Sequence, residues 1–191
     1  MIGDDAVRAP YALPAMPVGR GMETVDQQVV RAPVSAIFAL ARDVERWPAH
    51  LAHYRRVTFV HRAADGGGLV HMSARRPFGP VAWPAWWESE MTVDAGRPAI
   101  RYRHVRGVTA GMDVEWTFTP HEEGTLARIV HVWNGPPWPL IGLFAATAVI
   151  GPVFVHGIAS RTLAGLAGVA ERQGAVGRRQ DSGGFTGGEG S

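Results

Sequence analysis

The run from residue 81 to 93 alternates so that Val81, Trp83, Ala85, Trp87, Met91 and Val93 share one face, and the single polar member of that face is Ser89. A hydroxyl set among apolar neighbours can position a carbonyl. Tyr54 and His104 can exchange protons and Arg101 can stabilise an oxyanion, so Tyr54, Ser89, Arg101 and His104 form the candidate catalytic set. Trp47, Trp83, Trp87 and Trp116 would exclude water and stack on a planar molecule. Plainer roles stand beside these. Trp47 and Trp116 also suit core packing, and the Tyr54 hydroxyl also suits solvent at a helix-to-strand junction. Arg101 shares a strand face with Arg103, which equally suits a solvated arginine row, and His104 suits either face.

Much other chemistry lacks its residues. All 19 basic residues are arginine, and there are no cysteines, so lysine Schiff bases, thiolate nucleophiles, disulfides and cysteine-bound zinc have no carriers. His50 and His53 stand three apart without a carboxylate at matching spacing, and His121-Glu122-Glu123 reads as a charged turn, so no metal site is assigned. Nucleophile-elbow, zinc-protease, dinucleotide and P-loop patterns are absent, and no cofactor is expected. The formal charge is only +2 and the arginines are dispersed, with no basic stripe for nucleic acid.

The elements that must position these residues follow from periodicity. Residues 1–22, with Asp4, Asp5 and several prolines, read as a disordered leader rather than a secretory signal. A strand over 23–31 ends at Ala32-Pro33, where Pro33 is suited to open a helix through Ile37, Phe38, Leu40 and Ala41. Asp43 can cap a second short helix through Trp47, Leu51 and Tyr54. Strand-like runs then occupy 55–62, 69–76, 81–93, 98–105, 112–119 and 125–134, separated by short turn signals that favour an antiparallel meander. Met112, Val114, Trp116 and Phe118 alternate most cleanly against polar partners. The apolar stretch 138–155 is long enough for a membrane span, but Pro139 and Gly151-Pro152 break it, so an interfacial or cavity-capping segment is expected there. A final helix over 153–173 carries Ile158, Thr162, Leu163 and Leu166 at helical spacing, and 174–191 reads as a disordered Gly-rich tail.

Val30-Arg31-Ala32-Pro33 leading into Ile37-Phe38, then Asp43-Val44-Glu45-Arg46-Trp47-Pro48, Trp116-Thr117-Phe118 with Gly124-Thr125, and Ser160 to Leu166 resemble the START-like (SRPBCC) superfamily, polyketide cyclase/dehydrase type. The resemblance spans about 23–173 and implies an α+β helix-grip fold, a curved antiparallel sheet of about seven strands around a long C-terminal helix. Within it, Trp47-Pro48 with Tyr54, Trp87 with Ser89, Arg101 and Trp116 resemble aromatic polyketide aromatase/cyclases. Two arginines of that subgroup are replaced here by Met91 and His104. The implied activity is cavity binding of a hydrophobic molecule, with aldol closure and dehydration of a polyketide-type substrate, or else non-catalytic carriage of a quinone, lipid or pigment. The expected cavity lining is Trp47, Trp83, Trp87, Met91, Met112, Val114, Trp116, Phe118, Ile158 and Thr162. An acyl carrier protein is a candidate partner, residues 138–155 are a candidate peripheral membrane contact, and a cytoplasmic location is expected.

Overall fold

The computed structural model describes residues 7–78, 81–107, 109–135 and 155–183, with side chains for 7–75, 85–107, 109–135 and 155–176. The strands are β1 (Met22–Val30), β2 (Tyr54–Arg62), β3 (Gly68–Phe78), β4 (Val81–Asp94), β5 (Ala99–Gly107), β6 (Asp113–His121) and β7 (Gly124–Trp133). Helices α1 (Val34–Arg42) and α2 (Trp47–His50) follow β1, separated by a 3-10 turn at Val44–Arg46, and α3 (His156–Gly183) follows β7. The seven strands form one antiparallel sheet in the order β1-β7-β6-β5-β4-β3-β2. Short turns make β2 to β7 neighbours in sequence order, whereas the helices after β1 let it reach the far edge beside β7. The α+β helix-grip architecture expected from the sequence is the one observed.

Bulges bend the sheet. The register shifts between Tyr54 and Arg56 and between Phe59 and His61 in β2, and again where β4 meets β5. There Ser89 pairs with His104 while Glu88 pairs with Arg106, which leaves Val105 as the extra residue on β5. Gly107 ends the bulged strand at φ +93°, and a Cβ there would stand 2.4 Å from the Trp86 carbonyl oxygen, so both backbone angle and space require glycine.

The small helices attach to the sheet through specific groups. Pro33 stands at the N-cap of α1, and its carbonyl accepts from the Ala36 amide at 3.0 Å. Ile37, Phe38 and Ala41 are buried, with the Phe38 ring edge-on to Phe118 at 5.6 Å. Asp43 makes no side-chain cap bond, contrary to expectation, and the indole of Trp47 instead fixes the α1–α2 corner by donating to the Leu40 carbonyl at 3.1 Å. Glu45 accepts from the Phe59 amide and pairs with Arg62, which ties the 3-10 turn to β2.

Helix α3 lays a stripe of Ala159, Leu163, Leu166, Ala167 and Ala170 on the inner sheet face. Polar contacts fix both halves of the helix. His156 Nδ1 lies 2.6 Å from an Asp26 oxygen on β1, and Glu171 accepts from the Arg31 amide at 2.9 Å.

Two boundary expectations are corrected. Residues 7–20 carry no regular element and stay largely exposed, but they are tethered rather than free: Arg8 bridges to Ala63 beyond β2, Tyr11 hydrogen-bonds His61 at 2.8 Å, and the Pro14 carbonyl accepts from Arg101. Helix α3 also passes the expected end at Gln173 and runs to Gly183, because Ala175, Val176, Arg178, Arg179 and Gln180 sustain it between the glycines. Residues 138–154 lie outside the described part, so the expected interfacial segment is not placed.

Leu166, on the sheet-facing side of α3, is fully buried. Leu166→Ala should therefore lower the unfolding free energy by about 2–5 kcal/mol in urea titrations. A loss below about 0.5 kcal/mol would mean that α3 is not seated on the sheet as described.

Candidate functional site

Between the inner sheet face and the first turns of α3 lies a cavity of about 70 Å³. Strand alternation determines what enters it. On β3 and β4 the inward residues are Met72 and Trp87, on β5 Tyr102 and His104, on β6 Val114 and Trp116, and on β7 His131. Trp47 and Tyr54 close one side, Thr109 and Met112 come from the loop after β5, and Val155, Ile158, Ala159 and Thr162 form the helical wall. No arginine, aspartate or glutamate belongs to the described lining.

Aromatic rings build most of the wall. Trp47 packs against Tyr54 at 5.1 Å and Trp116 at 5.7 Å, and the Trp87 indole stacks on the His104 imidazole at 5.9 Å with the planes 19° apart.

The polar groups of the lining are neutral, and burial is the cause. It pushes the Tyr54 phenol up to about 12, with the Thr162 hydroxyl pulling the other way. Tyr102 is raised well above the ordinary phenol value by burial and then by the neighbouring Tyr54. Desolvation pulls His104 down to about 3, helped by the proximity of His131, and pulls His131 itself down to about 3. His104 Nδ1 shares a 2.6 Å hydrogen bond with the Thr109 hydroxyl, and His131 Nδ1 a 3.3 Å one with Thr24. Thr162 donates to the Ile158 carbonyl at 2.8 Å, so His53 Nε2, 3.0 Å from the same hydroxyl, is its donor.

Of the four candidate catalytic residues, Tyr54 and His104 are brought to the cavity. Ser89 is fully buried on the inner face of β4 but is not part of the described lining, and its Oγ has no partner among the described residues. Arg101 is not brought to the site. It stands on the outer face, 3.5 Å from Glu115 and bonded to the Pro14 carbonyl. The reason is the two-residue period of β5: with Ile100, Tyr102 and His104 inward, Arg101 and Arg103 must point out, and Arg103 pairs with Asp113 at 2.8 Å.

Of the expected cavity residues, Trp47, Trp87, Met112, Val114, Trp116, Ile158 and Thr162 line it. Met91 and Phe118 instead lie in the surrounding core, and the side chain of Trp83 falls outside the described residues. Tyr102, His131, Thr109 and Met72 were not anticipated. Counting alternate residues places Tyr102 on the face of Ile100, but only the buried Ile100 shows that this face is the inner one. On β7, however, Val130 and Val132 are as apolar as Ile129 and Trp133, so alternation alone did not reveal the face of His131. Among the described residues no three His, Asp or Glu side chains are grouped as metal ligands, and no helix is long and apolar enough to cross a membrane.

The buried histidines set a pH dependence. An unfolded histidine titrates near 6.5, whereas His104 and His131 titrate near about 3 when folded. Between those values the unfolded chain binds more protons, so stability present above the unfolded value is lost as pH falls. Urea titrations should show a loss of about 4 kcal/mol between about pH 7 and pH 5, roughly half from each histidine. The pair of changes His104→Gln and His131→Gln should flatten that slope, and an unchanged slope would assign it to other groups.

Comparison with known proteins gives these features a family. The family model described as "Polyketide cyclase / dehydrase and lipid transport" matches residues 30–152. The chain is 30% identical over 125 residues to the granaticin polyketide synthase bifunctional cyclase/dehydratase of Streptomyces violaceoruber, covering 60% of this chain and 34% of that protein. The chain thus spans about a third of that relative's length. Among solved structures, the Zhui aromatase/cyclase from Streptomyces sp. R1128 superposes with a TM-score of 0.60 at 16% identity, covering 80% of this chain and 94% of that one. A START superfamily protein from Mycobacterium smegmatis superposes at 0.62 with 14% identity, covering 79% and 98%. At these identities the structural likeness speaks for the fold. With the helix-grip sheet, the inner-face cavity and the match over 30–152 together, the chain belongs to the polyketide cyclase/dehydrase and lipid transport family.

Proposed function

We propose that this chain takes a neutral, carbonyl-rich polyketide-type molecule into the inner-face cavity and promotes its aldol ring closure and dehydration. The observation that carries this is the lining itself: aromatic walls, no charged side chain among the described lining residues, and the Tyr54 phenol held neutral as a hydrogen-bond donor. The matching cyclase/dehydratase relative supports the reaction class. At about 70 Å³ the cavity is well below the ~300 Å³ of common small-molecule pockets, so a molecule of several rings enters only as the walls rearrange.

Neutral donors suit this chemistry. A β-dicarbonyl substrate presents its nucleophilic carbon as the enol, and the enol proton ends on the carbonyl oxygen that is attacked as the carbon–carbon bond forms. Tyr54 donates to that oxygen while its charge develops. The resulting hydroxyl then leaves as water with a proton from the adjacent carbon. His104, neutral and a weak base at about 3, orients the substrate through hydrogen bonding rather than abstracting a proton. An acyl carrier protein would deliver the chain in this scheme.

A second reading, carriage of a quinone, lipid or pigment, is favoured by one observation. Arg101 faces outward and Met91 lies in the core, so neither candidate position brings a cation to the cavity. A reconstituted minimal polyketide synthase separates the two. Addition of the chain should change the ring-closure pattern, and Tyr54→Phe should reduce that change about 10- to 100-fold. An unchanged pattern, together with a lipophile retained in native mass spectrometry, would reject catalysis in favour of carriage.

A further inference from the structure

Tyr102 occupies the middle of the inner sheet face, paired laterally with Met91 on β4 and Val114 on β6. Tyr102 is 5% exposed and belongs to the cavity lining, and its hydroxyl has no hydrogen-bond partner among the described residues. The threonine hydroxyls of the described lining are engaged, Thr109 with His104 and Thr162 with the Ile158 carbonyl, and Tyr54 is within reach of Thr162. A buried hydroxyl without a partner costs free energy that an arriving acceptor relieves. A ligand of the same shape without an acceptor leaves that cost in place, which is how polar pockets discriminate strongly.

We propose that Tyr102 is the residue by which this cavity distinguishes a neutral carbonyl compound from a hydrocarbon of the same shape. This rests on the ligand-binding part of the function proposed above. The hydroxyl donates to the ligand carbonyl, while the aromatic walls contribute shape and dispersion without preference. Charged acceptors are disfavoured, because the described lining supplies no cation to balance a buried anion. Tyr102 is thereby a specificity residue distinct from its neighbour Tyr54, whose ring packs against Trp47.

The test uses 1-tetralone and tetralin, two bicyclic probes that differ in one carbonyl, titrated against the full chain by quenching of tryptophan fluorescence. Both probes demand the same rearrangement of the walls, so their affinity ratio isolates the carbonyl. The wild type should bind 1-tetralone at least about tenfold more tightly than tetralin. In Tyr102→Phe the 1-tetralone affinity should fall to that of tetralin, with tetralin binding unchanged. The thermal midpoint of Tyr102→Phe should stay the same or rise, since the change removes an unpaired buried hydroxyl and keeps the ring. A preserved preference for 1-tetralone in the variant, equal wild-type affinity for both probes, or a marked drop in thermal midpoint would overturn the assignment to Tyr102. The first two outcomes leave the cavity itself a ligand site, whereas failure of the wild type to bind either probe overturns both the assignment and the ligand-binding function.

Discussion

Burial of one sheet face beneath a helix forces every polar group on that face to be neutral. Water solvates an ion far better than a packed interior does, and few opposite charges are available inside to compensate. The inner residues obey this constraint in two ways. Most are apolar, and the titratable ones in the lining, Tyr54, Tyr102, His104 and His131, are shifted in whichever direction keeps them uncharged. The ionic pairs of β5 and β6, Arg101 with Glu115 and Arg103 with Asp113, are on the other face.

One exception marks the edge of the rule. Asp26 is buried on β1, and burial raises its carboxyl above the usual range while His156 at the start of α3 pulls it back. The contact spends a buried carboxylate on fixing the helix that roofs the cavity, and His156 remains largely exposed. Glu171 performs the corresponding task further along α3 by taking the Arg31 amide. The helical wall of Val155, Ile158, Ala159 and Thr162 is thus held from β1 and from the β1–α1 corner rather than by its own contacts alone.

The same constraint shapes the chemistry. A phenol that stays protonated and an imidazole that stays unprotonated can accept or donate hydrogen bonds, but neither is poised for proton transfer near neutrality. Catalysis in such a site works through orientation and neutral donors acting where charge develops. Beyond the bulge at Val105, β5 stays paired with β4 as far as Gly107, and the loop that follows brings Thr109 back to the His104 imidazole.

Strand positions, the antiparallel order and the apolar faces of β4 and β6 were legible in the sequence, because period-two alternation records which face is buried whatever the rest of the chain does. So was the helix stripe of α3, through its helical spacing. Tethering of residues 7–20 to Ala63, His61 and Arg101 was not legible, since it rests on scattered contacts without a local period. On β5 the alternation does separate Arg101 from His104, but only the buried Ile100 and its cross-strand partner Trp116 fix which of the two faces is inside. For β7, apolar residues on both faces left the side of His131 to be decided by pairing with Val114 and Thr24. The sequence by itself therefore determined the elements and the family, because those depend on local periodicity and short motifs. Tertiary structure alone decided that Tyr102 and His131 join Tyr54 in the cavity while Arg101 leaves it, because the side of a strand acquires meaning only when another element covers it.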